Sequence, residues 1–312
     1  MSKYILVIKH GALGDVVLAT GPFQAIREHH ADAHITLLTT KPYAKLLQNS
    51  PYFDEIWVDT RPKLWQISDV LALRKMLRSR QFDWVYDLQT SSRSSQYLKL
   101  LQAPKPQWSG VASGCSHPHD NPNRAAMHTV ERQREQLQMA GIPNVPQPNL
   151  DWLSESVDDQ PVKKPYILLV PGGSAHRPAK RWPSDAYGAL ASYLADVDIQ
   201  PVLIGAGAES GILSNIERQE PRALNLCNQT SFAQIAELAR HANYAVGNDT
   251  GPMHIIAAAG CSSTVLFSHE SDPKRCAPRG SHVSILRELE LAQLPLETVV
   301  AELDKSRALR KG

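Results

Sequence analysis

Val246-Gly-Asn-Asp-Thr-Gly-Pro-Met-His-Ile-Ile-Ala-Ala-Ala-Gly260 continues an apolar run that begins at Tyr244. The run Tyr244-Ala-Val246 reads as a buried strand, and the stretch after Thr250 has helical character. Thr250 suits an N-cap, and Pro252 is tolerated in a first helical turn. Gly251 lacks a side chain, so a ligand can approach the backbone closely. A strand ending at the open N-terminus of a helix offers unpaired N–H groups and a positive dipole end, which favour phosphate. Asp249, Thr250 and His254 add polar side chains around that point. An ordinary βα turn with a capping threonine would carry the same residues.

The other end of the chain repeats the construction. Lys3-Tyr-Ile-Leu-Val-Ile-Lys-His-Gly-Ala-Leu-Gly-Asp-Val16 is a short strand running into a turn bracketed by Gly11 and Gly14, followed by a helix over residues 16–29. The G-x-G-x-x-G spacing of a dinucleotide fingerprint is absent, which disfavours a Rossmann dehydrogenase. Asp15 stands where the helix begins, at the carboxyl end of the first strand, where open α/β sheets bind ligands. An acid complementing the helix dipole is the plainer reading of the same residue.

Between these ends strands alternate with helices, which predicts parallel sheets. Strands are expected at 5–8, 34–39, 55–58 and 83–88 in the first half, with an amphipathic helix over 66–79. Residues 103–123, rich in Pro, Gly, Ser and His, read as a long loop, and 129–141 as a helix. Residues 149–165 show no periodicity and read as an interdomain linker. The pattern restarts at Tyr166-Ile-Leu-Leu-Val170 and runs through strands at 200–205, 244–247 and 263–267 to a helix near 295–309. The expected fold is α/β, with two Rossmann-like domains facing a cleft. The first covers 1–155 and the second 156–312, the last helix being free to pack back on the first domain.

Composition narrows the classes. The chain has 312 residues, enough for two domains, and a net charge of +2. So small a charge argues against a nucleic-acid binder driven by bulk electrostatics. Cys115, Cys227, Cys261 and Cys276 form no C-x-x-C pair, so zinc and dithiol redox readings are weak and free thiols in a reducing cytosol are the simplest account. No apolar run reaches the ~18 residues of a membrane span, and Tyr4–Ile8 is too short for a signal peptide. A cytoplasmic protein follows, with room for peripheral contact with a membrane surface. His117-Pro-His-Asp120 reads as solvated loop rather than metal site. No D-x-D pair is seen at a strand end, so no metal is expected.

Lys9-His-Gly-Ala-Leu-Gly-Asp15 with Pro22, Lys180-Arg-Trp-Pro183 and Gly247-Asn-Asp-Thr-Gly-Pro-Met-His254 together resemble the bacterial glycosyltransferase family 9, which includes the ADP-heptose:lipopolysaccharide heptosyltransferases. The likeness runs over roughly residues 3–290, with the motifs in the family's order. It implies the two-domain GT-B architecture. It also implies an inverting, metal-independent transfer of heptose from ADP-heptose to a lipid-linked lipopolysaccharide core acceptor at the inner membrane. No cofactor beyond the nucleotide-sugar donor is implied. Asp15 matches the family's base, and Lys180, two residues before Trp-Pro, matches its phosphate ligand. Asp249, Thr250, Gly251 and His254 fall on the donor side.

Glu209, beyond a strand and a glycine loop, is where an acid commonly binds ribose hydroxyls, although a solvated helix-start carboxylate looks the same. Gly14, Arg61, Lys63, Arg93 and Arg124, with Arg132 and Arg134, are candidates for an acceptor-side basic face toward phosphorylated core sugars. The first loop departs from the family, in which hydroxyl residues often precede Gly-Asp, and region 103–128 matches no acceptor-binding sequence. Another nucleotide sugar, a sugar-nucleotide epimerase and a binding-only relative remain as alternatives. No epimerase motif is seen, and Asp15 speaks mildly against binding alone.

Overall fold

Ile5, Leu6, Val7 and Ile8 are fully buried, and so are Ile167, Leu168 and Leu169. Strands apolar at every position, rather than at alternate ones, belong to parallel sheets covered on both faces. The computed structural model describes residues 3–63, 65–173, 176–306 and 308–309, and has that architecture twice. Contacts divide the chain into Met1–Pro148 and Asn149–Gly312.

In the first unit the strands are β1 (Tyr4–Ile8), β2 (His34–Thr39), β3 (Glu55–Val58), β4 (Trp84–Asp87), β5 (Gln107–Gly110) and β6 (His117–Pro118). Their order is β3-β2-β1-β4-β5-β6, with every pairing parallel. The second unit has β7 (Tyr166–Val170), β8 (Gln200–Leu203), β9 (Leu224–Asn225), β10 (Tyr244–Asn248), β11 (Ser263–Phe267) and β12 (Val283–Arg287). The order β12-β11-β10-β7-β8-β9, again all parallel, is the same topology. In each sheet the strand order reverses beside the unit's first strand. The ligand crevice of such a fold lies outside the carboxyl ends at that point, between β1 and β4 and between β7 and β10.

Three details differ from the sequence expectation. The helix of residues 16–29 is two helices, Leu13–Leu18 and Thr20–His29. Pro22 has no N–H to give the Leu18 carbonyl, so the ladder breaks and Ala19 closes the first helix onto Val16 instead. Residues 103–123 hold β5 and β6 rather than a continuous loop. Trp108 and Ser109 are fully buried, and that packing overrides the loop-like composition. Residues 149–165 are tied to the second unit. Leu150 and Leu153 are buried, and Arg240 Nη2 donates to both of their carbonyls at 2.7 Å. The closing helix, Leu296–Lys305, packs through Val299 and Leu303 into the second unit's core with Leu194 and Leu266.

Glycine at 247 is a packing requirement. A Cβ there would lie 2.5 Å from Met253 Sδ and 2.7 Å from Val170 Cβ, so β10 could not sit between β7 and its own following helix. Gly247→Ala is expected to destabilise the second unit by about 1–3 kcal/mol, the usual cost of overpacking. Urea denaturation measures this, and an unchanged midpoint would mean that Met253 moves aside freely.

Candidate functional site

At the β7–β10 crevice, the structure is organised by Asn248, which is fully buried. Its Oδ1 accepts from the Trp182 N–H at 3.0 Å and from Tyr187 Oη at 3.2 Å. Its Nδ2 donates to the carbonyls of Pro171 at 2.8 Å and Gly172 at 3.1 Å. One amide therefore binds the end of β10 to the loop after β7 and to the Lys-Arg-Trp-Pro segment. Trp182, 1% exposed, anchors that segment further by donating Nε1–H to the Leu294 carbonyl at 3.0 Å. Lys180 is held next to this anchor. Its Nζ meets Asp249 Oδ2 at 2.5 Å, and Ser271 Oγ donates to the same oxygen at 2.7 Å.

Asp249 thus holds the lysine in place at the mouth of the helix Gly251–Ala258. Thr250 occupies the N-cap position with extended backbone, but its side chain makes no capping hydrogen bond. The sequence reading of Thr250 as a conventional cap is corrected in that respect. A helix start that lacks its side-chain cap, beside a fixed ammonium group, can bind a phosphate. His254, in the same first turn, is 6% exposed.

Glu209 ends a short 3₁₀ turn, Gly207–Glu209. Its Oε1 accepts from the Gly173 N–H at 3.1 Å and its Oε2 from the Ala206 N–H at 2.8 Å. Its carboxylate bridges the loops after β7 and β8, and it fills the space a side chain on Gly172 would need. A carboxylate with one donor on each oxygen keeps acceptor capacity for a hydroxyl. Ser174 of the Pro171–Ser174 turn lies outside the described residues.

At the β1–β4 crevice Asp15 sits in the first turn of Leu13–Leu18, half-buried. Gly14 precedes it. Gly11 has φ +136°, and the Tyr43 ring occupies the place of a Cβ. Burial raises the pKa of Tyr43, with the Asp15 charge adding to the shift. Lys9, which the sequence reading passed over, is 3% exposed, and its Nζ donates to the Leu88 carbonyl at 3.3 Å. Burial lowers its pKa while Asp15 opposes the shift, and Arg132 and Arg124 lower it further. Asp87, at the end of β4, is pushed up to about 6 by burial, although the Thr90 N–H donates to it at 2.9 Å.

The acceptor-side candidates fall into two groups. Arg124 belongs to the Asp15 neighbourhood, donating to Thr90 Oγ1 at 2.5 Å and to His119 Nδ1 at 3.1 Å, with Lys9 and Arg132 as its charged neighbours. Arg61 and Lys63 lie on the segment after β3, and Arg93 reaches it from the helix Ser92–Leu100. Arg93 Nη1 donates to the Pro62 carbonyl at 3.0 Å, and Lys63 Nζ lies 4.9 Å from the Trp65 ring centroid. Arg134 lines a separate hollow with Gln24 and Glu28.

Among the described residues no group of three or more His, Cys, Asp or Glu side chains is arranged to hold a metal. An Asp-x-Asp spacing does occur, Asp196-Val-Asp198, but it precedes β8 and so lies at the amino end of that strand. Among the described residues no helix is long and apolar enough to cross a membrane.

The two Rossmann-like units have the GT-B fold of their structural neighbours. The chain belongs to glycosyltransferase family 9 (heptosyltransferase), whose profile matches residues 70–302. It is 26% identical over 308 residues to lipopolysaccharide heptosyltransferase 2 of Escherichia coli K12, covering 91% of this chain and 87% of that protein. It is 23% identical over 297 residues to the lipopolysaccharide core heptosyltransferase OpsX of Haemophilus influenzae, covering 88% of this chain and 82% of that protein. The fold matches E. coli ADP-heptose lps heptosyltransferase II with a TM-score of 0.81 at 22% identity, covering 98% of both chains. A family 9 glycosyl transferase from Veillonella parvula matches at 0.84 and 19% identity, covering 97% of both.

Removing the lysine tests the phosphate reading. Lys180→Ala is expected to weaken ADP far more than adenosine, since a charge-assisted hydrogen bond contributes about 1.5–3 kcal/mol. Calorimetry with both ligands decides it, and equal losses would mean that Lys180 only supports its loop.

Proposed function

We propose that the chain transfers a heptose from ADP-heptose to a lipopolysaccharide core acceptor in a single inverting displacement. The observation that carries this reading is the Lys180–Asp249 pair at the uncapped helix start after β10. The other residue it needs is Asp15, at the carboxyl end of β1 in the first unit. The second unit is the donor side, where Thr250, Gly251 and the helix end receive the diphosphate and Lys180 neutralises its growing charge. Glu209 takes the ribose hydroxyls, and His254 supports the helix end. The first unit is the acceptor side. Asp15 accepts the proton of the attacking hydroxyl as the new C–O bond forms at the anomeric carbon and the bond to the ADP oxygen breaks.

Arg124, with Lys9 and Arg132, suits an acceptor bearing acidic groups. The names of the relatives support the same sugar and acceptor class.

The leaving group here needs no divalent ion, because the helix end and Lys180 supply the positive charge. With ADP-heptose and heptose-deficient lipopolysaccharide core oligosaccharide, turnover is expected to persist in excess EDTA. In the same assay Asp15→Asn is expected to lose the reaction while ADP affinity stays unchanged. Normal turnover by Asp15→Asn would remove the base, and a loss in EDTA restored by Mg²⁺ would remove the metal-free site.

A lipid-linked acceptor places the reaction at a membrane surface, on the cytoplasmic side where nucleotide sugars are available. The segment after β3 supports such contact. Trp65, Ile67 and Leu71 are 73%, 67% and 54% exposed. Arg61, Lys63, Arg74, Lys75 and Arg78 flank them, with Asp69 as the sole acid of residues 61–78. An exposed apolar stripe with cations beside it binds anionic lipid interfaces. Flotation with phosphatidylglycerol-containing vesicles should carry the wild type and lose it when Trp65 and Leu71 are both replaced by Ser. Equal flotation of the two proteins would dismiss this surface.

A further inference from the structure

A buried polar cluster that takes no part in the roles above lies directly upstream of the Asp15 turn. His10 Nε2 stands 3.1 Å from Asp59 Oδ2, with side-chain exposures of 3% and 0%. Tyr97 Oη donates to the same oxygen at 2.5 Å, and the two rings meet edge to face with centroids 5.9 Å apart. The other oxygen, Oδ1, accepts from the Arg61 N–H at 2.7 Å. The His10 backbone is pinned on both sides. Its N–H donates to Gln89 Oε1 at 2.8 Å, and its carbonyl accepts from Thr40 Oγ1 at 2.9 Å.

A buried carboxylate costs stability unless it is well paired, and apolar packing of the same volume would often serve the fold as well. What sets Asp59 apart is its connections. One oxygen reaches the residue that opens the Gly11–Gly14 turn, and the other holds the backbone of Arg61, at φ +54°. Burial pushes the Asp59 carboxyl up, but hydrogen bonds from His10, Tyr97 and the Arg61 N–H outweigh that and leave it below its ordinary range. The surroundings of the anchor thus favour its charged form. A turn bracketed by two glycines has little stiffness of its own, so its position is set by what grips its first residue.

We propose that Asp59, His10 and Tyr97 form a positioning clamp, in which one buried carboxylate fixes the Asp15 turn and the Arg61–Lys63 segment in register. The clamp rests on the assignment of Asp15 as the base. It presents the base and the acceptor-side cations as one unit, and a displacement of about 1 Å at such a base costs up to about a hundredfold in rate.

The test compares His10→Ala, His10→Gln and Tyr97→Phe with Asp15→Asn, using ADP-heptose and the core oligosaccharide. His10→Ala is expected to lower kcat about ten- to a hundredfold, with donor KM and ADP affinity unchanged. His10→Gln keeps an N–H donor toward Asp59 and should recover most of the rate. Tyr97→Phe deletes one hydroxyl without opening a cavity, so it should fold and lose several-fold in kcat. Hydrogen exchange should quicken at residues 11–15 and 60–63 in His10→Ala and return to normal in His10→Gln. Wild-type kcat in His10→Ala, or a loss that His10→Gln does not relieve, overturns the clamp. So does a fall in ADP affinity or melting temperature that matches the fall in rate. Inactive Asp15→Asn beside fully active His10→Ala removes the clamp alone, whereas active Asp15→Asn removes the base assignment itself.

Discussion

The crevice of the second unit depends on the four hydrogen bonds of the Asn248 side chain. An amide is the one side chain that can accept from the Trp182 N–H and Tyr187 hydroxyl while donating to the Pro171 and Gly172 carbonyls. An aspartate of the same shape would set lone pairs against two carbonyl oxygens in a fully buried site. A leucine would leave the Trp182 N–H and the Pro171 and Gly172 carbonyls without the partner that Asn248 gives them, each costing about 1–3 kcal/mol. Because the amide is satisfied, the loop after β7 and the Trp182 segment are fixed relative to the end of β10. Lys180 then needs only Asp249 and Ser271 to complete its position.

Both sheets have the same strand order, so both units open a crevice beside their first strand, yet the crevices differ in chemistry. In the second, positive charge comes from a helix end and one lysine whose partner is an adjacent carboxylate. In the first, a buried Lys9 and the neighbouring Arg124 and Arg132 surround Asp15 and Asp87. Burial disfavours the charged form of Lys9 and of Asp87 alike. An anionic ligand entering there would be met by cations that the protein has already desolvated.

Much of this was legible in the sequence. Uninterrupted apolar runs such as Ile5–Ile8 and Tyr166–Val170 can only be strands covered on both faces, and their repetition gave the two α/β units. The three motifs led to the family. The losses have local causes. β5 and β6 lie among Pro, Gly and Ser, and only the burial of Trp108 and Ser109 makes them strands. The break at Ala19 depends on one missing N–H at Pro22. Glu209 reads as a ribose ligand from its place in the loop, and its bridging of the loops after β7 and β8 through Gly173 and Ala206 could not be read from the sequence. Asn248 looked like one polar residue among several in Gly-Asn-Asp-Thr, because its partners are 61 to 77 positions away.

The family profile begins at residue 70, so the Asp15 turn, β1 to β3 and the Arg61–Lys63 segment lie outside the matched region, while the donor motifs fall within it. On the proposed reading, a diphosphate and a ribose present the same groups to every donor site, and few arrangements of helix end, lysine and carboxylate meet them. An acceptor hydroxyl can be approached from many sides, provided the base is held still. In this chain the Gly11–Gly14 turn supplies close approach and no rigidity, so rigidity has to come from below. His10 reaches Asp59 across the sheet, so the residue that opens this turn is gripped by a buried carboxylate.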